Sequence, residues 1–345
     1  MKKRKWIWIG GAILILGIAI GGYLMEKQTL RKLAENDDLL IGSSIRYDAL
    51  LEDDTYQRLA TTEFSSWTIE NEMKMDAMQP EQGAFNFVKV DEMVQMAEEH
   101  NIKLRGHVLV WGEALPAWVS QQIVDRDSAE QVLKTHIQEI VTHYQGSIDT
   151  FDVVNEAWND DGTLRDTIWL RTIGPDYIPL AFQWAREANP DAKLYYNDFG
   201  NEMSNTKSEA MLEALSNWKE EGIPIDGIGM QTHVDAADPR FSKDSIQEWF
   251  TRVEDAGFDI AVTEMDVKLQ NLNNGDAKNV QADRFGDVME VCLDTPACGE
   301  FTVWGISDNH SWVTEQESPN GKPLLFDENG QPKKAYNTLK RKLLF

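Results

Sequence analysis

The chain has few cysteines and few basic residues for its length. It contains only two cysteines, Cys292 and Cys298, among 345 residues. This number excludes a scaffold built on many disulfides, and the two do not have the spacing pattern of a zinc site. The 33 lysines and arginines are outnumbered by 58 acidic residues, so the formal net charge is −25. Because this charge opposes binding to phosphate backbones, we expect no nucleic-acid partner.

The chain also lacks the short motifs that mark cofactor and metal sites. No GxGxxG or GxxxxGK[ST] motif follows an early hydrophobic run, and the six histidines are dispersed. The missing glycine-rich motifs argue against a doubly wound sheet, and the dispersed histidines predict no metal. No proline-, glycine- or serine-rich linker interrupts the sequence after about residue 30. This continuity favours one large domain over two small ones.

The N-terminus combines a basic cluster with an apolar stretch. Residues 2–5 are all basic, and the stretch from Trp6 to Leu24 carries no charge. A helix over this stretch nearly crosses a hydrocarbon core of about 30 Å. We predict a signal anchor over residues 1–28, a short stalk over 29–37 and an extracellular domain over 38–345, held at the cell surface by residues 6–24. Secretion after cleavage is the alternative, because Ala19-Ile20-Gly21 is a small-x-small sequence.

Short β-branched or aromatic runs alternate with longer segments of helical periodicity over the rest of the chain. One such segment places Leu133, Ile137, Ile140 and Val141 on a single stripe. Runs that are apolar throughout are typical of a parallel sheet covered on both faces, so the pattern predicts an α/β fold, a (β/α)8 TIM barrel. A doubly wound open sheet is the alternative. The eight runs are 39–41, 67–69, 104–109, 151–154, 194–196, 228–230, 260–263 and 301–304.

Polar or aromatic residues stand at the end of seven of these runs. In a parallel barrel all strand C-termini open on one face, where active sites are built. The coincidence across strands therefore predicts a functional site on that face. The residues in question are Glu70, Asn71, His107, Trp111, Asn155, Glu156, Asn197, Asp198, Gln231, His233, Glu264, Asp266 and Trp304.

Two glutamates among these residues suggest acid–base chemistry. Glu156 ends the fourth run and Glu264 ends the seventh, so both are carried by rigid strands. One carboxyl group can remain protonated as a proton donor while the other is ionised as a nucleophile or base. The alternative is a structural pair of glutamates that form salt bridges with lysine or arginine. His233 and Asp266 favour the catalytic interpretation, because they are expected beside Glu264.

The tryptophans on the same face indicate a carbohydrate ligand. Trp111, Trp304 and Trp312 fall at strand ends or in loops, where an indole face can cover a pyranose ring. Asn71, Lys74, Gln231 and Asn155 can hydrogen-bond to hydroxyl groups. For the tryptophans inside strands and helices, packing in the core is the better interpretation.

Six ordered segments give the chain a close resemblance to glycoside hydrolase family 10, the endo-β-1,4-xylanases, over residues 38–342. The resemblance implies a (β/α)8 barrel that hydrolyses internal linkages of xylan with net retention and without a cofactor. It implies xylan or xylo-oligosaccharides as the binding partner and no obligate protein partner. The segments are TIENEMKM (68–75), RGHVLVW (105–111), FDVVNEAW (151–158), IGMQTHV (228–234), VTEMDV (262–267) and FTVWGISDNHSW (301–312).

The resemblance also assigns roles to residues of this sequence. It implies that Glu156 is the general acid/base and Glu264 the nucleophile, with His233 and Asp266 supporting Glu264. Asn155 is expected to bind the 2-hydroxyl of the sugar that is cleaved. The residues expected to line the glycone subsites are Glu70, Asn71, Lys74, His107, Trp111, Gln231, Trp304 and Trp312.

The sequence agrees with the family at its cysteines and departs from it at three other positions. Cys292 and Cys298 match a pair found in many members, so the resemblance implies a disulfide; two unpaired buried thiols are the alternative. Phe199, Asn309 and His310 stand where the family commonly has a tyrosine, a basic residue and an aromatic residue. Two other functions stay open: a glycosidase of the same barrel that acts on another β-linked glycan, and an anchored polysaccharide-binding protein without catalysis.

Overall fold

The computed structural model describes residues 28–269 and 276–344. Nine parallel strands form the sheet, and each of the eight predicted runs falls on one of them. The strands are β1 (Leu40–Ile45), β2 (Ser66–Ile69), β3 (Lys103–Val110), β4 (Thr150–Asn155), β5 (Lys193–Asp198), β6 (Gly227–Met230), β7 (His233–Asp235), β8 (Asp259–Lys268) and β9 (Cys298–Val303).

The sheet closes on itself. Strands β1 to β6 pair in sequence order, β6 pairs with β8, β8 with β9, and β9 with β1. The short strand β7 pairs with the last residues of β8, beyond the barrel. This closure confirms the predicted (β/α)8 barrel and shows that the open-sheet alternative is wrong.

Helices connect the consecutive strands of the barrel on its outside, whereas β7 follows β6 after only two residues. The connection from β1 to β2 contains two helices, because the backbone is extended at Asp53, whose carboxylate accepts hydrogen bonds from Thr55 N and Tyr56 N and so caps the second one. The α-helices of the described residues are α1 (Leu30–Ala34), α2 (Tyr47–Glu52), α3 (Asp54–Glu63), α4 (Met75–Met78), α5 (Val88–Glu99), α6 (Ala117–Gln122), α7 (Arg126–His143), α8 (Ile168–Ile173), α9 (Tyr177–Ala188), α10 (Thr206–Glu220), α11 (Lys243–Asp255), α12 (Ala277–Asp294) and α13 (Lys334–Lys342).

The main core lies between the barrel and this outer ring of helices. Helix α7 shows why the sequence folds in this way: Asp125 and Ser128 form a capping box at its start, and Leu133, Ile137 and Ile140 on its apolar stripe are fully buried. The opposite face of the helix carries the polar residues. The predicted helical stripe is therefore confirmed.

A network of buried charges lies between strands β3, β4 and β9. The guanidinium of Arg105 donates to Asp152 (2.6 Å) and to Glu300 (2.9 Å), and His107 Nδ1 lies 2.9 Å from the second oxygen of Asp152. Burial opposes ionisation of Asp152, but Arg105 and His107 outweigh it and lower the pKa of this carboxyl group. Arg105 therefore compensates the two buried carboxylates, and Asp152 holds His107 in position.

Cys292 at the end of α12 and Cys298 at the start of β9 form the expected disulfide, with their Cα atoms 5.2 Å apart. The bond closes a short loop, so its contribution to the free energy of unfolding is about 2 kcal/mol in the chain-entropy model. It fixes the turn that leads into β9.

The structure corrects one predicted boundary near the N-terminus. Residues 29–37 were expected to form a stalk, but Thr29 caps α1, and Leu30 and Leu33 of that helix are buried in the domain core. Leu30 N also donates to Glu63 at the end of α3 (3.0 Å). This segment therefore belongs to the folded domain. The predicted signal anchor lies outside the described residues; within 28–269 and 276–344, no helix has the length and apolar character needed to span a membrane.

Candidate active site

Glu156 follows β4 directly and has an unusual backbone conformation. Its φ of 54° lies in the left-handed region, which is uncommon for residues other than glycine and is often found at functional sites. Its N–H donates to Asn197 O of β5 (2.9 Å), which holds the turn against the barrel.

The carboxylate of Glu156 accepts hydrogen bonds from three different elements. Gln231 Nε2 donates to Oε1 (3.0 Å), while Trp111 Nε1 (3.1 Å) and Arg165 Nη1 (3.2 Å) donate to Oε2. The side chain is 14 % exposed. The group is therefore held firmly but can still be reached from the open face.

Glu264 lies within β8 and is more deeply buried than Glu156. Asn197 Nδ2 donates to its Oε1 (2.7 Å), and His233 Nε2 lies 3.3 Å from its Oε2. The Asn197 amide is oriented in turn by Thr263, whose hydroxyl donates to Asn197 Oδ1 (2.7 Å). Both oxygens of Glu264 therefore have fixed partners.

His233 joins Glu264 to Asp266. Its Nδ1 lies 2.9 Å from Asp266 Oδ2, the same oxygen that accepts a hydrogen bond from Trp312 Nε1 (2.8 Å). Burial alone would lower the pKa of His233, but the charges and hydrogen bonds of Asp266 and Glu264 raise it to about 10. At neutral pH the imidazole is therefore a cation that donates to both carboxylates.

A continuous chain of hydrogen bonds connects the two glutamates. Asn197 Nδ2 donates to Asn155 Oδ1 (2.9 Å) as well as to Glu264, and Gln231 Nε2 lies 3.3 Å from the same Asn155 oxygen while it donates to Glu156. Side chains from β4, β5 and β8 and from the loop after β6 thus converge on one cluster. The predicted convergence of strand ends is found in the structure.

The other predicted site residues surround this cluster. Lys74 Nζ donates to Asn71 Oδ1 (2.9 Å) and lies 5.3 Å from the centre of the Trp111 ring. On the other side, Trp304 makes edge-to-face contacts with His107 (5.3 Å) and His233 (6.5 Å).

Glu70 is buried and turned toward β1. Its carboxylate accepts hydrogen bonds from Ser44 Oγ (2.9 Å) and Arg46 Nε (2.7 Å). Arg46 also forms a bidentate pair with Glu315, in the π-helical turn Val313–Glu317 that follows Trp312. Arg46 thus ties Glu70 to the loop that carries Trp312.

Sequence reasoning missed the roles of three residues of the site. Asn197 was named among the strand-end residues but was given no role, whereas it contacts both Asn155 and Glu264. Arg165 and Arg46 were not identified, because both lie outside the strands and nothing in the periodicity shows which carboxylate they reach. Arg46 directly follows β1, and a charge at a strand end requires a partner; Arg165 lies in the loop well after β4 and gives no such signal.

The three positions that depart from the family pattern lie around the cluster rather than in it. The Phe199 ring is covered by Lys207 Nζ (3.8 Å) and by the Arg165 guanidinium (5.0 Å). His310 lies 3.2 Å from Asp53 and packs edge-to-face on Tyr56, and Asn309 contacts His310. Of the three, Phe199 is therefore the one linked to Glu156, through Arg165.

Comparison with known proteins agrees with this geometry. The chain is 37% identical over 329 residues to endo-1,4-beta-xylanase B of Thermotoga neapolitana, covering 94% of each chain. It is 36% identical over 309 residues to exoglucanase XynX of Acetivibrio thermocellus, covering 86% of this chain and 28% of the relative.

A solved structure and a family model give the same result. Xylanase 10B of Thermotoga petrophila RKU-1, crystallised with xylobiose, superposes with a TM-score of 0.88 at 38% identity, covering 92% of this chain and 97% of the other. The model of glycosyl hydrolase family 10 matches residues 29–342. The chain belongs to glycosyl hydrolase family 10.

Proposed function

We propose that the protein is a retaining endo-β-1,4-xylanase. The observation that carries the proposal is the chain of hydrogen bonds that brings Glu156 and Glu264 into one cluster on the open face of the barrel. The two carboxylates have different surroundings, as a division of labour requires. Similarity to named xylanases supports xylan as the substrate.

Glu264 acts as the nucleophile and Glu156 as the general acid/base. Hydrogen bonds from Asn197 and cationic His233 fix both oxygens of Glu264, which orients one of them for attack on the anomeric carbon. Glu156 protonates the glycosidic oxygen as the bond to the leaving group breaks. The resulting glycosyl ester at Glu264 is then hydrolysed by a water that Glu156 deprotonates, and two inversions give net retention. This mechanism requires the carboxyl groups to be about 5 to 5.5 Å apart.

The residues around the cluster bind the sugar chain. Trp111, Trp304 and Trp312 offer indole surface to pyranose rings, and Asn155 receives the 2-hydroxyl of the sugar that is cleaved. The polar residues assigned to the glycone subsites are Glu70, Asn71, Lys74, His107 and Gln231.

We also propose that the catalytic domain works outside the cell, held by a signal anchor at residues 6–24. The basic residues 2–5 before this apolar stretch support the orientation, and the disulfide between Cys292 and Cys298 supports an oxidising compartment. Secretion after cleavage at Ala19-Ile20-Gly21 is the alternative.

Product analysis tests the substrate. The protein is expected to release xylo-oligosaccharides of several lengths from unsubstituted xylan and to act much more slowly on barley β-glucan. A faster release of sugars from the glucan would favour a β-glucanase, a candidate suggested by the relative named an exoglucanase. No reducing sugar from either polymer would indicate a binding protein without catalysis.

Replacement of the acid/base tests its role. Glu156→Ala should lose on the order of 10² to 10⁴ in rate on xylan, because the leaving group is no longer protonated. On an activated aryl xylobioside, azide should restore turnover and give the β-azide, as measured by NMR. Glu264→Ala is the matched control and should give the α-azide instead. An α-azide from Glu156→Ala, or no azide product, would contradict the assigned role.

The charge of His233 can be measured directly. Its pKa is raised from 6.5 to about 10 in the folded protein, so its stabilising effect is complete below pH 6.5 and is lost as the pH rises toward 10. In ¹⁵N NMR spectra, both ring nitrogens of His233 should remain protonated at pH 8, and Asp266→Asn should lower its titration midpoint. A native His233 that titrates between pH 6 and 7 would show that the ion pairs do not hold its proton.

Fractionation of expressing cells tests the anchor. The full chain is expected in the membrane fraction, where protease added outside the cell should digest it. A chain that starts at residue 28 is expected in the soluble fraction. If cells that express the full chain release a shortened product into the medium, the segment is cleaved. An uncleaved full chain in the soluble fraction would exclude both anchoring and secretion.

A further inference from the structure

A buried ion pair lies behind the turn that carries Glu156. Lys207 Nζ and Asp198 Oδ1 are 2.7 Å apart, and the two side chains are only 2 % and 0 % exposed. Lys207 Nζ also donates to Phe199 O (2.7 Å), and Phe199 N donates to Asp198 Oδ1 (2.9 Å). Desolvation makes a pair of this kind expensive, and similar packing could be obtained with apolar residues. Its presence beside the site therefore requires a reason other than stability.

Tyr196 connects this pair to the Glu156 turn. Its hydroxyl donates a short hydrogen bond to Asp198 Oδ2, and its oxygen accepts the N–H of Ala157, the residue after Glu156 (2.9 Å). The edge-to-face contact with Trp158 fixes the ring of Tyr196. The hydroxyl therefore has one defined orientation, set by the Asp198 carboxylate.

The backbone at Ala157 controls where the Glu156 carboxylate lies. Glu156 has a left-handed backbone conformation, which surrounding contacts must hold in place. The Ala157 N–H is held by Tyr196, and the Ala157 carbonyl accepts Arg165 N (2.7 Å), whose guanidinium donates to Glu156. The two successive peptide groups after the acid/base, Glu156–Ala157 and Ala157–Trp158, are thus both held by hydrogen bonds.

We propose that Tyr196, oriented by the buried Asp198–Lys207 pair, is a positioning residue that holds Glu156 where it can protonate the leaving group. This inference rests on the proposed role of Glu156. It extends the catalytic apparatus to three residues that do not contact the substrate: Tyr196, Asp198 and Lys207.

The leaving group of the substrate distinguishes positioning from general stability. Expulsion of 2,4-dinitrophenol needs no proton, whereas expulsion of phenol does. Tyr196→Phe should therefore lower kcat/KM for phenyl β-xylobioside about 10- to 100-fold, the loss expected from a small displacement of a catalytic group. It should change kcat/KM for the 2,4-dinitrophenyl substrate less than about threefold, since attack by Glu264 is unaffected.

Tyr195→Phe is the matched control. It removes a hydroxyl from the neighbouring residue of the same strand, whose ring packs on Arg105 (4.5 Å) instead of the Glu156 turn. It should leave the ratio of the two kcat/KM values unchanged. Asp198→Asn is a second test variant, because its amide would present an N–H to the Tyr196 hydroxyl in place of an acceptor. It should change the ratio in the same direction as Tyr196→Phe.

Three results would overturn the proposal, provided that the wild-type protein hydrolyses xylan. The first is an equal loss of kcat/KM on both aryl substrates, and the second is no loss of kcat/KM on either. The third is failure of both test variants to fold, as shown by circular dichroism at the assay temperature. Each would make Tyr196 a structural residue only. A wild-type protein that does not cleave xylan would instead overturn the proposed function and would say nothing against the hydrogen bonds around Ala157.

Discussion

Closure of the parallel barrel is the constraint on which the rest of the site depends. Because the strands are parallel, their C-terminal ends lie on one face, and residues far apart in sequence become neighbours. Asn155, Asn197 and Glu264 come from three strands and are joined by two hydrogen bonds from a single amide nitrogen. A shift of one residue in the register of β5 would turn Asn197 away from the cluster and break the chain of hydrogen bonds between the two carboxylates.

Charge placement inside the domain is as important as the strand geometry. The protein carries a net charge of −25, yet the acidic residues described in the site have specific partners. These are Arg165 for Glu156, His233 for Glu264 and Asp266, Lys207 for Asp198 and Arg46 for Glu70. These partners allow several carboxylates to lie close together. The excess negative charge therefore belongs mainly to the surface.

The sequence was sufficient to predict the barrel, the eight principal strands and the face that holds the site, because buried parallel strands are apolar on both sides. It was not sufficient to predict where β8 ends. Glu264 and Asp266 suggested that the strand ended near Thr263, but it continues to Lys268 and pairs with β7. Polar side chains inside a strand resemble a strand end when only hydrophobicity is considered.

The missing contacts were those made by side chains across elements. Nothing in the sequence indicates that Arg165 folds back to Glu156 or that Arg46 bridges Glu70 and Glu315, since these pairings depend on loop paths. Asn197 could have been given a role, because it pairs with Asn155 near the end of the neighbouring strand. Its two hydrogen bonds, to Asn155 and to Glu264, could be predicted only with the knowledge that β4, β5 and β8 place these side chains at the same height in the barrel.

One oxygen atom of Asp266 has a further consequence. Oδ2 accepts hydrogen bonds from both His233 and Trp312, so one oxygen joins the Trp312 indole to the imidazole beside Glu264. The hydrogen-bond partners of this oxygen therefore hold the indole and the imidazole in one fixed arrangement, so neither ring can be displaced without changing the surroundings of the other.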